Sequence, residues 1–288
     1  MFLPPDHIIE KTVRLALEED LGTGDITSAL TVPGHLKGTA RFITKETGVI
    51  CGWPVVEKIF HILNPGIKLA VHYPDGAAVK NGDTVGEISG PLQPIFSGER
   101  VALNFLQRLS GIATCTRSFR EMLADFPRVR LVDTRKTTPG LRVLEKYAVR
   151  VGGGQNHRFT LSDFVLIKDN HLAVAGGVHQ AVAAVRKNSP HTLKVEVEVE
   201  TEEQVREALA AGVDIIMLDN MAPEKMAAMV KLINGRALVE ASGNVTAANI
   251  KAIAATGVDI ISIGGLTHSV KALDISLEVD QIWDPEIP

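Results

Sequence analysis

The chain has 288 residues, of which 45% are hydrophobic and 22% charged, and a formal net charge of −4. That length and mix suit one large domain or two ordinary ones with a sizeable core. The mildly acidic balance excludes bulk attraction to nucleic acid or to an anionic membrane, and no apolar run reaches the roughly 18 residues of a membrane span. The start, MFLPPDHIIEK, has no basic region leading into an apolar run. Cys51 and Cys115 are two and far apart, as expected of buried thiols in a reducing compartment, so the expected location is the cytosol.

The first half mixes helices and strands without a beat. Asp6 is a candidate N-cap for an amphipathic helix that runs to Gly22, with Ile8, Ile9, Val13, Leu15, Ala16 and Leu17 close to one face. The polar turn GTGDITS leads to a strand pattern over Gly38–Ile50. Trp53–Leu63 reads as a helix, and Ile67–Tyr73 and Thr84–Ile88 as strands separated by turns at Pro74-Asp75-Gly76 and Asn81-Gly82-Asp83. A long helix from about Ser97 to Phe126 carries apolar residues on two sides, as at an interface between domains or subunits. Residues 1–110 are therefore expected to form an α+β sandwich domain, joined by part of the long helix and by the tail 274–288.

A rhythm begins at Val129. Apolar runs recur at Val129–Val132, Phe164–Ile167, Leu193–Val199, Ile215–Leu218, Ala237–Val239 and Ile260–Ile263, with helix patterns between the later ones. The later strands start about 22 residues apart, the length of a strand, a helix and two short loops. Runs apolar throughout fit a parallel sheet buried on both faces. Polar or glycine residues follow each run, and such ends converge on one mouth in an α/β barrel. Residues 111–273 are expected to form an incomplete barrel of six or seven strands, with Asp274–Val279 a candidate seventh.

The stretch Asp133–His171 carries seven Lys/Arg against four acids, a local reversal of the chain's sign. Arg135, Lys136, Arg158 and Lys168 lie at strand ends or in adjoining loops, which points to a pocket for a small anion. Lys146 and Arg150 repeat at helical spacing and read as a solvated face, with Arg142 open. Gly152-Gly153-Gly154 reads as a flexible loop that delivers His157 and Arg158, and His171 and His268 are left without a role. In KVEVEVE, alternation puts Glu196, Glu198 and Glu200 on one face. Glu200 reads as a helix-entry residue and Glu196 as the partner of a buried cation. Glu198 and Asp219 then end neighbouring strands as oxygen ligands suited to Mg²⁺. Gly264-Gly265, and more weakly Ser242-Gly243, let backbone amides approach a phosphate.

Taken in order, TRKTTPGLR, GGGQNHR, IKDNH, EVEVE, LDN, EASG and ISIGGLTHS resemble the quinolinate phosphoribosyltransferase family, as do EEDLGTGDITS and GERVALNFLQRLSGIAT before them. The resemblance covers nearly the whole chain. It implies an N-terminal sandwich and a C-terminal incomplete barrel in a homodimer or larger assembly. It also implies transfer of phosphoribose from phosphoribosyl pyrophosphate to quinolinate with Mg²⁺, giving nicotinate mononucleotide, pyrophosphate and CO₂ for NAD biosynthesis. By that pattern Arg135, His157, Arg158 and Lys168 hold the quinolinate carboxylates, and Lys136 lies between quinolinate and the phosphoribosyl group. Arg100 reaches into a neighbouring subunit's site. Glu198 and Asp219 serve the ribose hydroxyls and Mg²⁺, and Ser242, Gly243, Gly264 and Gly265 take the phosphate. The alternatives are a molybdenum-locus paralogue, a nicotinate-specific transferase and a Schiff-base aldolase using Lys168.

Overall fold

The computed structural model describes residues 3–285, which form two compact units; the last three residues of the expected tail, and Met1 and Phe2, lie outside them. The first unit contains the residues up to Arg117, Thr137–Gly153 and those from Leu266 on; the second contains Ser118–Lys136 and Gly154–Gly265. This differs from a division at residue 110. The segment Thr137–Gly153 packs with the N-terminal unit although it follows the first barrel strand.

The chain opens with α1 (Asp6–Leu21), α2 (Ile26–Thr31), β1 (Lys37–Thr44), β2 (Gly48–Val49), α3 (Trp53–Leu63), β3 (Lys68–Val71), β4 (Ala78–Val79), β5 (Thr84–Pro91) and α4 (Leu92–Met122). It continues with β6 (Arg130–Val132), α5 (Arg142–Val151), β7 (Val165–Ile167), α6 (Asp169–Ala175), α7 (Val178–Asn188), β8 (Val195–Val199), α8 (Glu202–Ala210) and β9 (Ile215–Asp219). Last come α9 (Pro223–Ile233), β10 (Leu238–Ser242), α10 (Ile250–Ala255), β11 (Ile260–Ser262), α11 (Gly265–His268) and β12 (Ile275–Trp283).

The first unit is built on an antiparallel sheet in the order β12-β1-β5-β3. Every second residue of β1 is buried, and Phe42 on that face meets Trp53 of α3 edge-on at 5.4 Å. The apolar positions of Asp274–Val279 thus pair with β1, residue Thr44 opposite Ile275, and add no barrel strand. Other local readings shift for identifiable reasons. Pro5, not Asp6, caps α1, and Leu15 faces solvent. The turn GTGDITS runs into α2 because the Asp25 carboxylate accepts the Ser28 N–H at 2.9 Å and makes a helix start. The long helix begins at Leu92, five residues earlier than expected, and ends at Met122.

The second unit is a parallel sheet in the order β6-β11-β10-β9-β8-β7, open between β6 and β7. Its strands are short and pair in register, Glu198 with Met217 and Ser242 with Asp219. Val195, Val197 and Val199 of β8, Ile216 and Leu218 of β9, and Val239 and Ala241 of β10 are buried in the core. Period-two alternation then gives the opposite face to Glu196, Glu198, Met217, Asp219, Glu240 and Ser242. Among the described residues no helix is long and apolar enough to cross a membrane.

Candidate active site

That opposite face lines a cavity of about 610 Å³ in the second unit, within the usual size of a small-molecule site. It is bounded by Thr134, Arg135, Lys136, His157, Arg158 and Lys168, all from β6, β7 and the segment between them. The other wall holds Glu198, Met217, Asp219, Asn220, Glu240, Ser242, Gly243 and Asn244, from β8, β9 and β10. The cavity therefore has a cationic side and an acidic side, each supplied by neighbouring strands.

The cationic side is fixed by a buried acid. Asp133 follows β6 and is fully buried; its carboxylate accepts the His157 N–H at 2.9 Å and the Asn156 side-chain amide at 2.6 Å. The backbone of Gln155 bonds to Leu131 and Asp133, so the segment runs beside β6 like a short strand. His157 and Arg158 follow at once. Arg158 is buried; it sits 5.6 Å from the centre of the Phe164 ring and donates to the Phe164 carbonyl at 3.3 Å. Burial, and next the charge of Arg135, hold its pKa below the usual arginine value. A group so placed gains from an anion. The glycine run contributes packing as well as turns: a Cβ on Gly152 would come within 2.5 Å of the Ala113 carbonyl and 2.6 Å of Thr116.

Lys168 Nζ donates to Glu198 Oε2 at 2.5 Å and joins the two sides. Its backbone N–H donates to His171 Nδ1 at 2.9 Å, which gives His171 a capping role at α6. Asp219 has its pKa raised, first by burial and then by the charge of Glu198. Two hard oxygen donors, one of which disfavours the other's charge, are what a Mg²⁺ ion would suit, so this pair fits that ion.

Beneath lies a cluster that sequence reasoning did not assemble. Glu196 and Glu240 are buried and approach His157 Nε2 at 3.4 and 3.6 Å. Burial is the main cause that raises both carboxyls, Glu196 to about 7 and Glu240 to about 8. Their ligand atoms and that of His157 lie within 4.8 Å of one another. That mixed nitrogen and oxygen set suits Mg²⁺ less well than Glu198 with Asp219. The charges of Arg158 and Lys168 act on Glu196 without a hydrogen bond to its oxygens, and Glu240 was overlooked. Alternation with Ser242 in LVEAS was the available signal.

The structure brings together Arg135, Lys136, His157, Arg158, Lys168, Glu198, Asp219, Ser242 and Gly243 in one cavity. Gly264 and Gly265 are not among the lining residues, and Gly265 instead begins α11. Arg100 is exposed on α4 in the first unit. Lys146, expected on a solvated face, is fully buried, because α5 packs into the first unit: its Tyr147 donates to Asp75 at 2.8 Å. Arg150 is half-buried, Arg142 donates to Thr137 at 3.0 Å, and His268 contacts Ser269 at 2.5 Å.

Comparison with known proteins agrees with this arrangement. Residues 25–110 match the family model described as quinolinate phosphoribosyl transferase, N-terminal domain, and residues 112–278 match its C-terminal domain. A Bacillus subtilis protein named probable nicotinate-nucleotide pyrophosphorylase [carboxylating] is 47% identical over 271 residues, 94% of this chain and 93% of that one. A mitochondrial quinolinate phosphoribosyltransferase [decarboxylating] of Nicotiana tabacum is 43% identical, over 96% of this chain and 83% of that one. The crystal structure of NadC from Streptococcus pyogenes superposes with a TM-score of 0.93 at 42% identity, over 98% of this chain and 99% of that one. A cavity walled by fixed cations on one side and carboxylates on the other thus sits in a chain that belongs to the quinolinate phosphoribosyltransferase family.

Proposed function

We propose that this chain transfers phosphoribose from phosphoribosyl pyrophosphate to quinolinate, with release of pyrophosphate and CO₂, and so makes nicotinate mononucleotide for NAD biosynthesis. The observation that carries this reading is the division of one cavity into a cationic and an acidic wall, in a member of that family. Quinolinate bears two adjacent carboxylates. Arg135, His157, Arg158 and Lys168 supply several fixed donors for them, and guanidinium groups grip carboxylates in two-pronged fashion. Lys136 lies between the acid and the sugar. On the other wall Glu198 and Asp219 face the ribose, where positive charge develops at C1 as the ring nitrogen displaces pyrophosphate. Ser242 and Gly243, with Gly264 and Gly265, are assigned to the phosphate.

Glu198 and Asp219 would hold Mg²⁺. When bound, that ion neutralises charge on the departing pyrophosphate. Once the ring nitrogen is bonded to C1 it carries positive charge. The neighbouring carboxylate then leaves as CO₂; its electron pair stays on the ring carbon beside that charge and takes up a proton from solvent. Fixed charges and orientation do this work, with no side-chain nucleophile.

The family-model boundaries at 110 and 112 support a division there between two inherited domains, and the pairing of β12 with β1 supports adding the tail to the first. Arg100 is assigned to the site of a second copy in a homodimer or larger assembly, and a cytosolic location belongs to the same reading. The test supplies quinolinate, phosphoribosyl pyrophosphate and Mg²⁺ and follows nicotinate mononucleotide and one CO₂ per turnover. Folded protein that yields no product overturns the reading, and product from nicotinate without CO₂ reassigns the acceptor. Mixing inactive Arg100→Ala and Lys136→Ala chains restores part of the activity if sites are shared between copies, and none if they are not.

A further inference from the structure

Gly243 was read as a glycine that lets backbone approach a phosphate, but its surroundings point to a neighbour. Its φ is +87°, and a Cβ there would lie 2.2 Å from Asn220 Oδ1 and 2.6 Å from Asn220 Cγ. The space a side chain would need is filled by an amide. Asn220 is itself in the left-handed region, at φ 51°, which non-glycine residues adopt at a cost. Its backbone N–H donates to the Ser242 carbonyl at 3.0 Å, which ties the end of β9 to the end of β10.

The side chain works in two directions. Asn220 Nδ2 donates to Asp219 Oδ2 at 2.7 Å, and Asn220 Oδ1 accepts from Asn244 Nδ2 at 2.9 Å. Asn244, also left-handed at φ 50°, is held in turn: its carbonyl accepts from Asn249 Nδ2 at 3.0 Å. Asn249 Oδ1 accepts the Thr246 N–H at 2.8 Å. The orientation of this relay follows from charge. A carboxylate accepts only, so the NH₂ end of Asn220 must face Asp219. Its oxygen must then face Asn244, which has to donate. Flipping the Asn220 amide breaks both bonds, and flipping the Asn244 amide breaks the second.

We propose that Asn220 is a positioning residue that aims the Asp219 carboxylate and, through the same amide, fixes the Ser242–Asn244 turn. The acidic wall and the turn assigned to phosphate then form one unit. This rests on the function proposed above. Asn220 lines the cavity beside Asp219, and in this role it acts through that carboxylate. Gly243 is glycine because the amide that does so occupies its Cβ position.

The test is a double-mutant cycle of the wild type, Asn220→Gly, Asp219→Asn and the double variant, with kcat and the KM of each substrate measured. Glycine keeps the left-handed backbone and removes only the amide. Asn220→Gly is expected to lower kcat by about 10- to 100-fold, with the KM for quinolinate within about twofold. In the Asp219→Asn background the same change is expected to alter kcat by less than about threefold, since the carboxylate it served is gone. A kcat for Asn220→Gly within about twofold of wild type overturns the proposal, as does an equal loss in both backgrounds. A residue that only holds the fold would lower the melting temperature and leave the cycle additive. If Asn220→Gly does not fold, Asn244→Gly decides, because glycine again keeps the left-handed backbone. It leaves the Asp219 contact but frees the amide to rotate, and it must lower kcat about two- to tenfold in the native background and not in Asp219→Asn. A wild-type protein without turnover sinks the functional reading instead, so the two failures are distinct.

Discussion

Replacing Glu240 by glutamine changes how stability depends on pH. Glu240 and Glu196 are 1% and 0% exposed, and each lies against His157 Nε2. Burial first, and for Glu240 then the charge of Glu196, raise the two carboxyls to about 8 and about 7 from an ordinary 4.5. Arg158 and Lys168 pull Glu196 back, and His157 pulls Glu240 back, without cancelling burial. Between those values the folded chain holds protons that the unfolded chain has released. The pair's contribution is therefore complete below pH 4.5 and is lost as pH rises through about 7 to about 8. Each excess proton tilts stability by about 1.4 kcal/mol per pH unit, so between roughly pH 5.5 and 6.5 the pair tilts it by about 2.7. Glutamine removes one of the two titrations and leaves about 1.4. Urea unfolding followed by circular dichroism at several pH values measures this, and subtracting wild type from Glu240→Gln cancels every group not coupled to Glu240. The difference is expected to grow in the variant's favour by about 1.4 kcal/mol per pH unit up to about pH 8. A difference flat with pH refutes the reasoning, for it means that Glu240 is already charged in the fold.

Arg158→Lys keeps the charge but loses the planar fork and the contact with Phe164. The KM for quinolinate is expected to rise about 10- to 100-fold, with a smaller fall in kcat, in steady-state assays. Arg108 donates to Glu145 Oε1 from Nε at 2.8 Å and from Nη2 at 2.6 Å, and Glu145 is fully buried. Arg108→Met leaves that carboxylate without its guanidinium and is expected to cost about 2–4 kcal/mol in denaturant titration, the lower part of the usual range because Arg108 is itself partly exposed. Adding Glu145→Gln should return most of that loss.

Much of the barrel was legible because it is local. Strand and helix of each βα unit follow one another in the chain, and alternation in VEVEV and LVEAS sorts side chains between two faces without knowledge of the partner strand. The cationic residues at strand ends could be gathered on that basis alone. What was missed depends on partners distant in sequence. Lys146 and Arg150 have the spacing of a solvated face, yet α5 packs into the first unit, where Tyr147 reaches Asp75, 72 residues away. Glu196 and Glu240 are separate acids in the sequence and become a cluster only when β8 and β10 flank β9. Asn220 stands in the sequence only as the last residue of LDN, and its role depends on where the turn after β10 comes to lie.

The open side of the parallel sheet bears on how the residues proposed for the acceptor are held. A closed barrel would place a seventh strand against β6. Here that edge is met instead by Gln155, through its bonds to Leu131 and Asp133. His157 and Arg158 follow directly, so the segment that stands in for the missing strand is the one that carries two of the residues proposed to hold the acceptor. Two backbone bonds to β6 and its end, beside those the Asp133 carboxylate accepts, are fewer than a full strand would make, and regions held by few bonds open at the lowest free energy. Amide exchange is therefore expected to be faster at this seam than within the paired strands β8, β9 and β10.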